Sequence, residues 1–199
     1  CPGRIRIADG WISEIYNRAH GECTLREILV HSSNVGMAKI GLRFKVNQVY
    51  EALKLWGFDR ETGIGLPGEE KGMLYKPGRW IGVVPANIAI GQGIAVTPLQ
   101  MITAVSAIAN GGQLVRPFVV SSILDEGGKR LYAGRRIERA RVLCKETSNW
   151  LKSAMRDVVI RGTGQRADVP GLEIAGKTGT SQVAGDKEYE EDRYVATFV

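Results

Sequence analysis

The richest apolar stretch of this chain, residues 83–109, is broken by Pro85, Asn87, Gln92 and Pro98. No segment therefore offers the about 18 unbroken apolar residues that a membrane-spanning helix needs. The apolar residues sit instead in short stretches punctuated by glycine and proline, and each stretch must be buried against another. With 199 residues, 44% hydrophobic and 24% charged, the chain has the length and apolar content of a packed domain rather than of a disordered segment.

Local signals divide those stretches into helices and strands. Thr24 and Glu27 form a capping-box pattern, with Leu25, Ile28 and Leu29 behind it as one apolar face. This predicts a short helix that runs into His31-Ser32-Ser33-Asn34, followed by further helical turns carrying Val35, Ala38, Ile40 and Leu42. A helix over residues 47–56 buries Val49, Ala52, Leu53 and Trp56 and stops at Gly57. Residues 59–96 read as loop. Thr97 suits an N-cap and Pro98 the first helical position, with Leu99, Ile102, Val105, Ile108 and Ala109 as the buried face and Gly111-Gly112 as the stop. Residues 118–124 and 130–132 predict a hairpin around Asp125-Glu126-Gly127-Gly128. Residues 145–160 read as a helix with Trp150, Leu151, Ala154 and Val158 inward. Residues 172–183 and 193–199 alternate like strands across an acidic turn at 188–192. No repeat or interdomain linker is visible.

The net charge of +6 is compatible with a polyanionic partner. Its densest cluster is Lys129, Arg130, Arg135, Arg136, Arg139 and Arg141, with only Tyr132 interleaved. That pattern describes a solvated basic face, and nucleic acid is not expected. Cys1, Cys23 and Cys144 contain no C-x-x-C pair, and His20 and His31 are the only histidines, so no zinc constellation can be assembled. A Cys1–Cys23 disulfide is open to an oxidising compartment, but two buried thiols and a free one are expected.

Three glycine-rich signals compete for a functional reading. Gly63-Ile64-Gly65-Leu66-Pro67-Gly68 matches G-x-G-x-x-G. A dinucleotide site needs a strand before it and a helix after it, whereas here a helix precedes and Glu69-Glu70-Lys71-Gly72 follows; a turn is expected. Residues 171–178 match the P-loop pattern G-x-x-x-x-G-K-[ST], which requires a helix beginning at Lys177. Thr178-Gly179-Thr180-Ser181-Gln182-Val183 is rich in β-formers and makes a poor helix start. The third reading takes Lys177-Thr178-Gly179-Thr180 as an edge strand, which predicts strand over residues 174–182. Lysine supplies a point charge, threonine hydroxyls supply donors, and Gly179 lets a substrate backbone approach, which suits the carboxylate of a peptide C-terminus.

Ser32-Ser33-Asn34 followed much later by Lys177-Thr178-Gly179 resembles the serine penicillin-recognising enzymes. His31-Ser32-Ser33-Asn34-Val35-Gly36, Gly91 to Met101, Gly162-Thr163-Gly164 and Ala175-Gly176-Lys177-Thr178-Gly179-Thr180 together resemble class B penicillin-binding proteins, and within these the cell-division, septal type. The resemblance implies an α/β (α+β) transpeptidase domain of the serine β-lactamase-like kind: an antiparallel sheet with helices on both faces and a cleft along the Lys177 strand. It implies acyl transfer on the D-Ala-D-Ala end of a peptidoglycan stem peptide, acylation by β-lactams, and no metal or cofactor. It also implies work on the periplasmic face of the bacterial inner membrane beside membrane proteins of cell division.

By position in these motifs, the resemblance makes Ser32 a proton relay and Asn34 a partner for the substrate amide. Lys177 and Thr178 fall on the carboxylate side of the site. Gly179 lines the substrate strand, and Thr180 gives a hydroxyl and an oxyanion-hole N–H. The family's Ser-x-x-Lys nucleophile motif does not occur in these 199 residues. The expectation is a partial domain over residues 1–199, with the nucleophile and a membrane anchor upstream and a further strand and helix downstream. A non-catalytic sensor or scaffold, a β-lactamase-like hydrolase and a P-loop NTPase remain as alternatives.

Overall fold

A computed structural model describes the backbone of residues 1–184 and 189–199, and side chains outside 184–192. The chain begins with β1 (Arg4–Ile7) and β2 (Gly10–Ser13), then α1 (Leu25–His31), α2 (Asn34–Gly41) and α3 (Val46–Leu55). Next come β3 (Met73–Leu74), α4 (Val84–Ala89), β4 (Ile94–Ala95) and α5 (Pro98–Ala109). Four strands follow: β5 (Gln113–Arg116), β6 (Ser122–Leu124), β7 (Arg130–Ala133) and β8 (Ile137–Arg141). The chain closes with α6 (Lys145–Arg161), β9 (Thr178–Ala184) and β10 (Tyr189–Phe198). The class is α+β. β1–β2, β5–β8, β6–β7 and β9–β10 are each antiparallel, and among the described residues the sheet is present as such two-stranded ladders.

Two compact units emerge from these elements. One comprises Cys1–Tyr50, Tyr75–Ile94 and Trp150–Val199. Its core gathers Ile12 of β2, Val35 and Ala38 of α2 and Ala86 of α4, with Ile5, Ile7, Val83 and Ile90 packed around them. Val30 on α1 and Ala154, Val158 and Val159 on α6 are fully buried. Arg26 ties α1 to α6, donating to Asp157 at 2.8 Å while its guanidinium lies 5.5 Å from the Trp150 ring centre. Tyr50 is the buried residue of α3, edge-on to Trp80 at 6.2 Å, whereas Ala52, expected inward, is exposed.

The other unit comprises Glu51–Leu74 and Ala95–Asn149. Here α5 packs on β5, burying Ala104, Ala107 and Leu114. The helix starts as expected at Thr97 and Pro98, and Gln100 completes a second capping box. Gln100 is itself buried and donates to the carbonyls of Arg60 and Lys71, which pins the loop between them. Within that loop the G-x-G-x-x-G segment is closed by its own carboxylate: Glu69 accepts from the Thr62 amide and hydroxyl and from the Gly63 amide. Desolvation opposes its charge, yet the Thr62, Gly63 and Ile64 bonds hold the Glu69 carboxyl below its ordinary value. These amides already have their anion.

Two expectations change at the end of the chain. Strand structure starts at Thr178, not at 172 or 174, because the backbone at Ile174 and Gly176 bonds to α6 instead of to a strand. The Ile174 carbonyl accepts from Arg156, and the Gly176 amide donates to the Met155 carbonyl. Residues 189–192 of the expected acidic turn belong to β10, and residue 188 lies outside the described residues. The hairpin β1–β2 and helix α4 were not legible, α4 falling inside the stretch read as loop. Cys1, Cys23 and Cys144 are free thiols, but none is buried as expected: Cys1 and Cys23 are half-buried and Cys144 is exposed.

Candidate active site

The capping box read at Thr24 and Glu27 is present and starts α1. Its end is abrupt. Ser32 takes the left-handed conformation, φ 54 and ψ 43, and its N–H closes the helix onto the Ile28 and Leu29 carbonyls. Ser33 then returns to an extended backbone and caps α2, accepting from the Gly36 amide at 2.9 Å. Ser32-Ser33-Asn34 is thus a junction between two helices with no spare residue. A serine in the left-handed region costs roughly 1 kcal/mol and persists where its surroundings over-determine it.

Across the junction lies Lys177. Its ammonium donates to Ser32 Oγ at 2.7 Å and to the Thr178 carbonyl at 2.9 Å, joining residues 145 positions apart in sequence. Both side chains are half-buried, and desolvation holds the Lys177 ammonium below the ordinary lysine value. Lys177 and Val199 exchange both backbone hydrogen bonds, at 2.8 and 3.2 Å. With Gly179 opposite Thr197 and Thr180 opposite Ala196, alternation turns the backbone groups of Thr178 and Thr180 away from β10. That outward row has no partner strand among the described residues, and its Thr178 carbonyl is met by Lys177 Nζ. A strand after Lys177, with no helix, removes the geometry that a P-loop requires.

The remaining expected residues are placed as follows. Thr178 shares a 2.6 Å hydroxyl contact with Thr163. Thr180 is exposed on the edge. Gly179 is cramped from behind rather than in front: a Cβ there would meet Thr197 Oγ1 at 2.5 Å. Asn34 donates from Nδ2 to the Ser13 carbonyl at 3.0 Å, and no hydrogen bond joins it to Ser32 or Lys177 among the described residues.

Two residues complete the site: Thr163, which sequence reasoning quoted in a motif without giving it a role, and Glu14, which it did not single out. Thr163 bridges both walls, its amide on the Val30 carbonyl of α1 and its hydroxyl on Thr178. Glu14 lies buried behind Ser33 and Asn34, following β2, and no local pattern marks it. Close packing at Gly162 sets the position of Thr163. A Cβ there would lie 2.5 Å from the Val30 carbonyl oxygen and 2.8 Å from that of Val158. Backbone cannot step aside as a side chain can, so Gly162→Ala is expected to destabilise the protein by about 1–3 kcal/mol, read as a lower urea midpoint.

Comparison with known proteins adds to this geometry. Residues 4–199 match the family model described as "Penicillin binding protein transpeptidase domain". The chain is 36% identical to Stage V sporulation protein D of Bacillus subtilis, over 90% of this chain and 28% of that protein. It is 34% identical to penicillin-binding protein PbpB of Mycobacterium tuberculosis, over 99% of this chain and 30% of that protein. The chain therefore spans under a third of the length of these relatives. The crystal structure of penicillin-binding protein 3 from Mycobacterium tuberculosis in complex with ampicillin superposes with a TM-score of 0.92 at 33% identity, covering 99% of this chain and 45% of that one.

Proposed function

Because this chain belongs to the penicillin-binding protein transpeptidase family, we propose that it forms the Ser-x-Asn and Lys-Thr-Gly sides of a peptidoglycan D,D-transpeptidase site of the septal type. The observation that carries this reading is the 2.7 Å bond from Lys177 to Ser32, which unites the two motifs beside an open strand edge.

A serine outside these 199 residues, in a Ser-x-x-Lys motif, attacks the carbonyl of the D-Ala-D-Ala bond. An acyl ester forms as the C–N bond breaks, and the proton that the attacking serine gives up is relayed through Ser32 to the departing D-Ala amine. The acyl group then passes to the amine of a neighbouring stem peptide, which forms the new amide and frees the serine. The Lys177 ammonium faces the substrate's terminal carboxylate. The outward backbone groups of Thr178 and Thr180, on either side of Gly179, accept the peptide as an added strand. Thr180 N–H and the nucleophile's own N–H hold the oxyanion, and Asn34 Oδ1 receives the substrate amide. β-lactams acylate the same serine. The site works on the outer face of the bacterial cytoplasmic membrane, with membrane-bound division proteins as partners.

A fluorescent penicillin should label the full-length protein at one serine, outside residues 1–199. Labelling at Ser32, or none at all, would overturn the proposal. Stem-peptide pairs should be cross-linked rather than only hydrolysed.

The pH dependence follows from burial. Lys177 loses its proton below the ordinary value of 10.5, so the alkaline fall in acylation is expected below that pH. Between the lowered value and 10.5 the unfolded chain binds the extra proton, so the contribution of Lys177 makes stability rise with pH across the same window. Acylation and stability should thus move in opposite directions there, and Lys177→Met should remove both trends.

A further inference from the structure

Glu14 follows β2 and is only 4% exposed, yet no cationic side chain is among its hydrogen-bond partners in the described residues. Three donors meet it instead, all from the junction that carries Ser32. Ser33 Oγ donates to Oε1 at 2.5 Å, the Asn34 amide to Oε2 at 2.9 Å, and the Val35 amide to Oε1 at 3.3 Å. An acceptor-only carboxylate against the first amides of α2 satisfies orphan donors and suits the positive end of that helix. The residue before it adds a fourth tie, since the Ser13 carbonyl holds Asn34 Nδ2 at 3.0 Å.

This grip lies immediately behind the strained residue. Ser33 cannot shift while its hydroxyl is held by Glu14 and also accepts from Gly36. Ser32 is therefore kept in its left-handed conformation between a helix end on one side and a clamped cap on the other. The direction of Ser32 Oγ toward Lys177 depends on that conformation. Resting on the acyl-transfer reading above, we infer that Glu14 is a positioning residue: it clamps Ser33-Asn34-Val35 so that Ser32 Oγ stays on Lys177 and Asn34 keeps its orientation. Glu14 touches no substrate in this scheme and acts through Ser32 and Asn34.

The test uses the full-length protein and a fluorescent penicillin, with the non-covalent constant K and the acylation rate constant k2 resolved by stopped flow. Glu14→Gln keeps the shape but sets an NH2 group against one of the three donors. Displacing a catalytic group slightly is expensive, so k2 should fall by about tenfold to a hundredfold while K stays within about threefold. Glu14→Asp, which restores the charge, should recover part of that loss. The decisive comparison is a double-mutant cycle: with Ser32 already alanine, Glu14→Gln should cost several-fold less than in wild type, only the part carried through Asn34 remaining. A k2 within about twofold of wild type, or the same loss in both backgrounds, would overturn the inference. If Glu14→Gln does not fold, Ser33→Ala removes the same link from the other side, and an unchanged k2 would overturn it equally. Absence of acylation in the wild-type full-length protein would instead count against the transpeptidase reading itself.

Discussion

Lys177→Ala in the full-length protein is expected to slow acylation by a penicillin roughly a hundredfold. A charge-assisted hydrogen bond is worth about 1.5–3 kcal/mol, which by itself spans about one to two decades in rate. Alanine also releases Ser32 Oγ and the Thr178 carbonyl, the two groups that the ammonium now joins. The half-buried site has little water to replace the lost charge, so the loss falls near the upper end of that range. Lys177→Arg should rescue poorly, because a planar guanidinium cannot reproduce a compact donor placed between a hydroxyl and a carbonyl. Stopped-flow measurement of k2/K decides the matter, and an alanine variant within about twofold of wild type would remove Lys177 from the mechanism.

Ser32→Ala should be comparably damaging, by about tenfold to a hundredfold, the range of a positioned proton-transfer group. Its signature differs. The Lys177 ammonium remains on the Thr178 carbonyl and can still meet a carboxylate, so K should be preserved and the loss should sit in k2. Alanine in the left-handed region is no more comfortable than serine, so the variant gains no relief of strain and its melting point should scarcely change. Because the two side chains touch at 2.7 Å, the double variant Ser32→Ala/Lys177→Ala should be only slightly slower than the worse single variant. Strict multiplication of the two losses would show that the contact is incidental to the reaction.

Much of the local architecture was legible because its causes lie within a few residues. Capping needs only a threonine and a glutamate or glutamine three positions on, and both capping boxes form where Thr24 and Thr97 stand. The P-loop match could be set aside because β-formers and glycine follow Lys177, and a strand does follow. The hairpin β6–β7 likewise closes around the Asp125–Gly128 turn through the Asp125 side chain and backbone, although its first strand begins at Ser122 and not at Phe118. What failed was the beginning of β9: within a run that alternates like a strand from residue 172, the backbone at Ile174 and Gly176 bonds to α6. Alternation reports which faces a segment offers and says nothing about which neighbour takes its hydrogen bonds.

The sequence by itself determined the helix junction at Ser32-Ser33-Asn34, the strand at Thr178, and the motif pair that marks the family, since each is written in short-range chemistry or in residue order. Only the tertiary structure decided that Lys177 Nζ meets Ser32 Oγ, that Thr178 leans on Thr163, and that Asn34 is held by Ser13. It alone showed Glu14, a glutamate unremarkable in its sequence context, buried beneath the junction. The reason is physical. Caps and turns are selected by interactions across three or four residues, whereas these contacts depend on where separate elements pack and on the register of β9 against β10. A ladder shifted by one residue would have turned Thr178 and Thr180 toward β10 and put Lys177, Gly179 and Ser181 on the outward row instead.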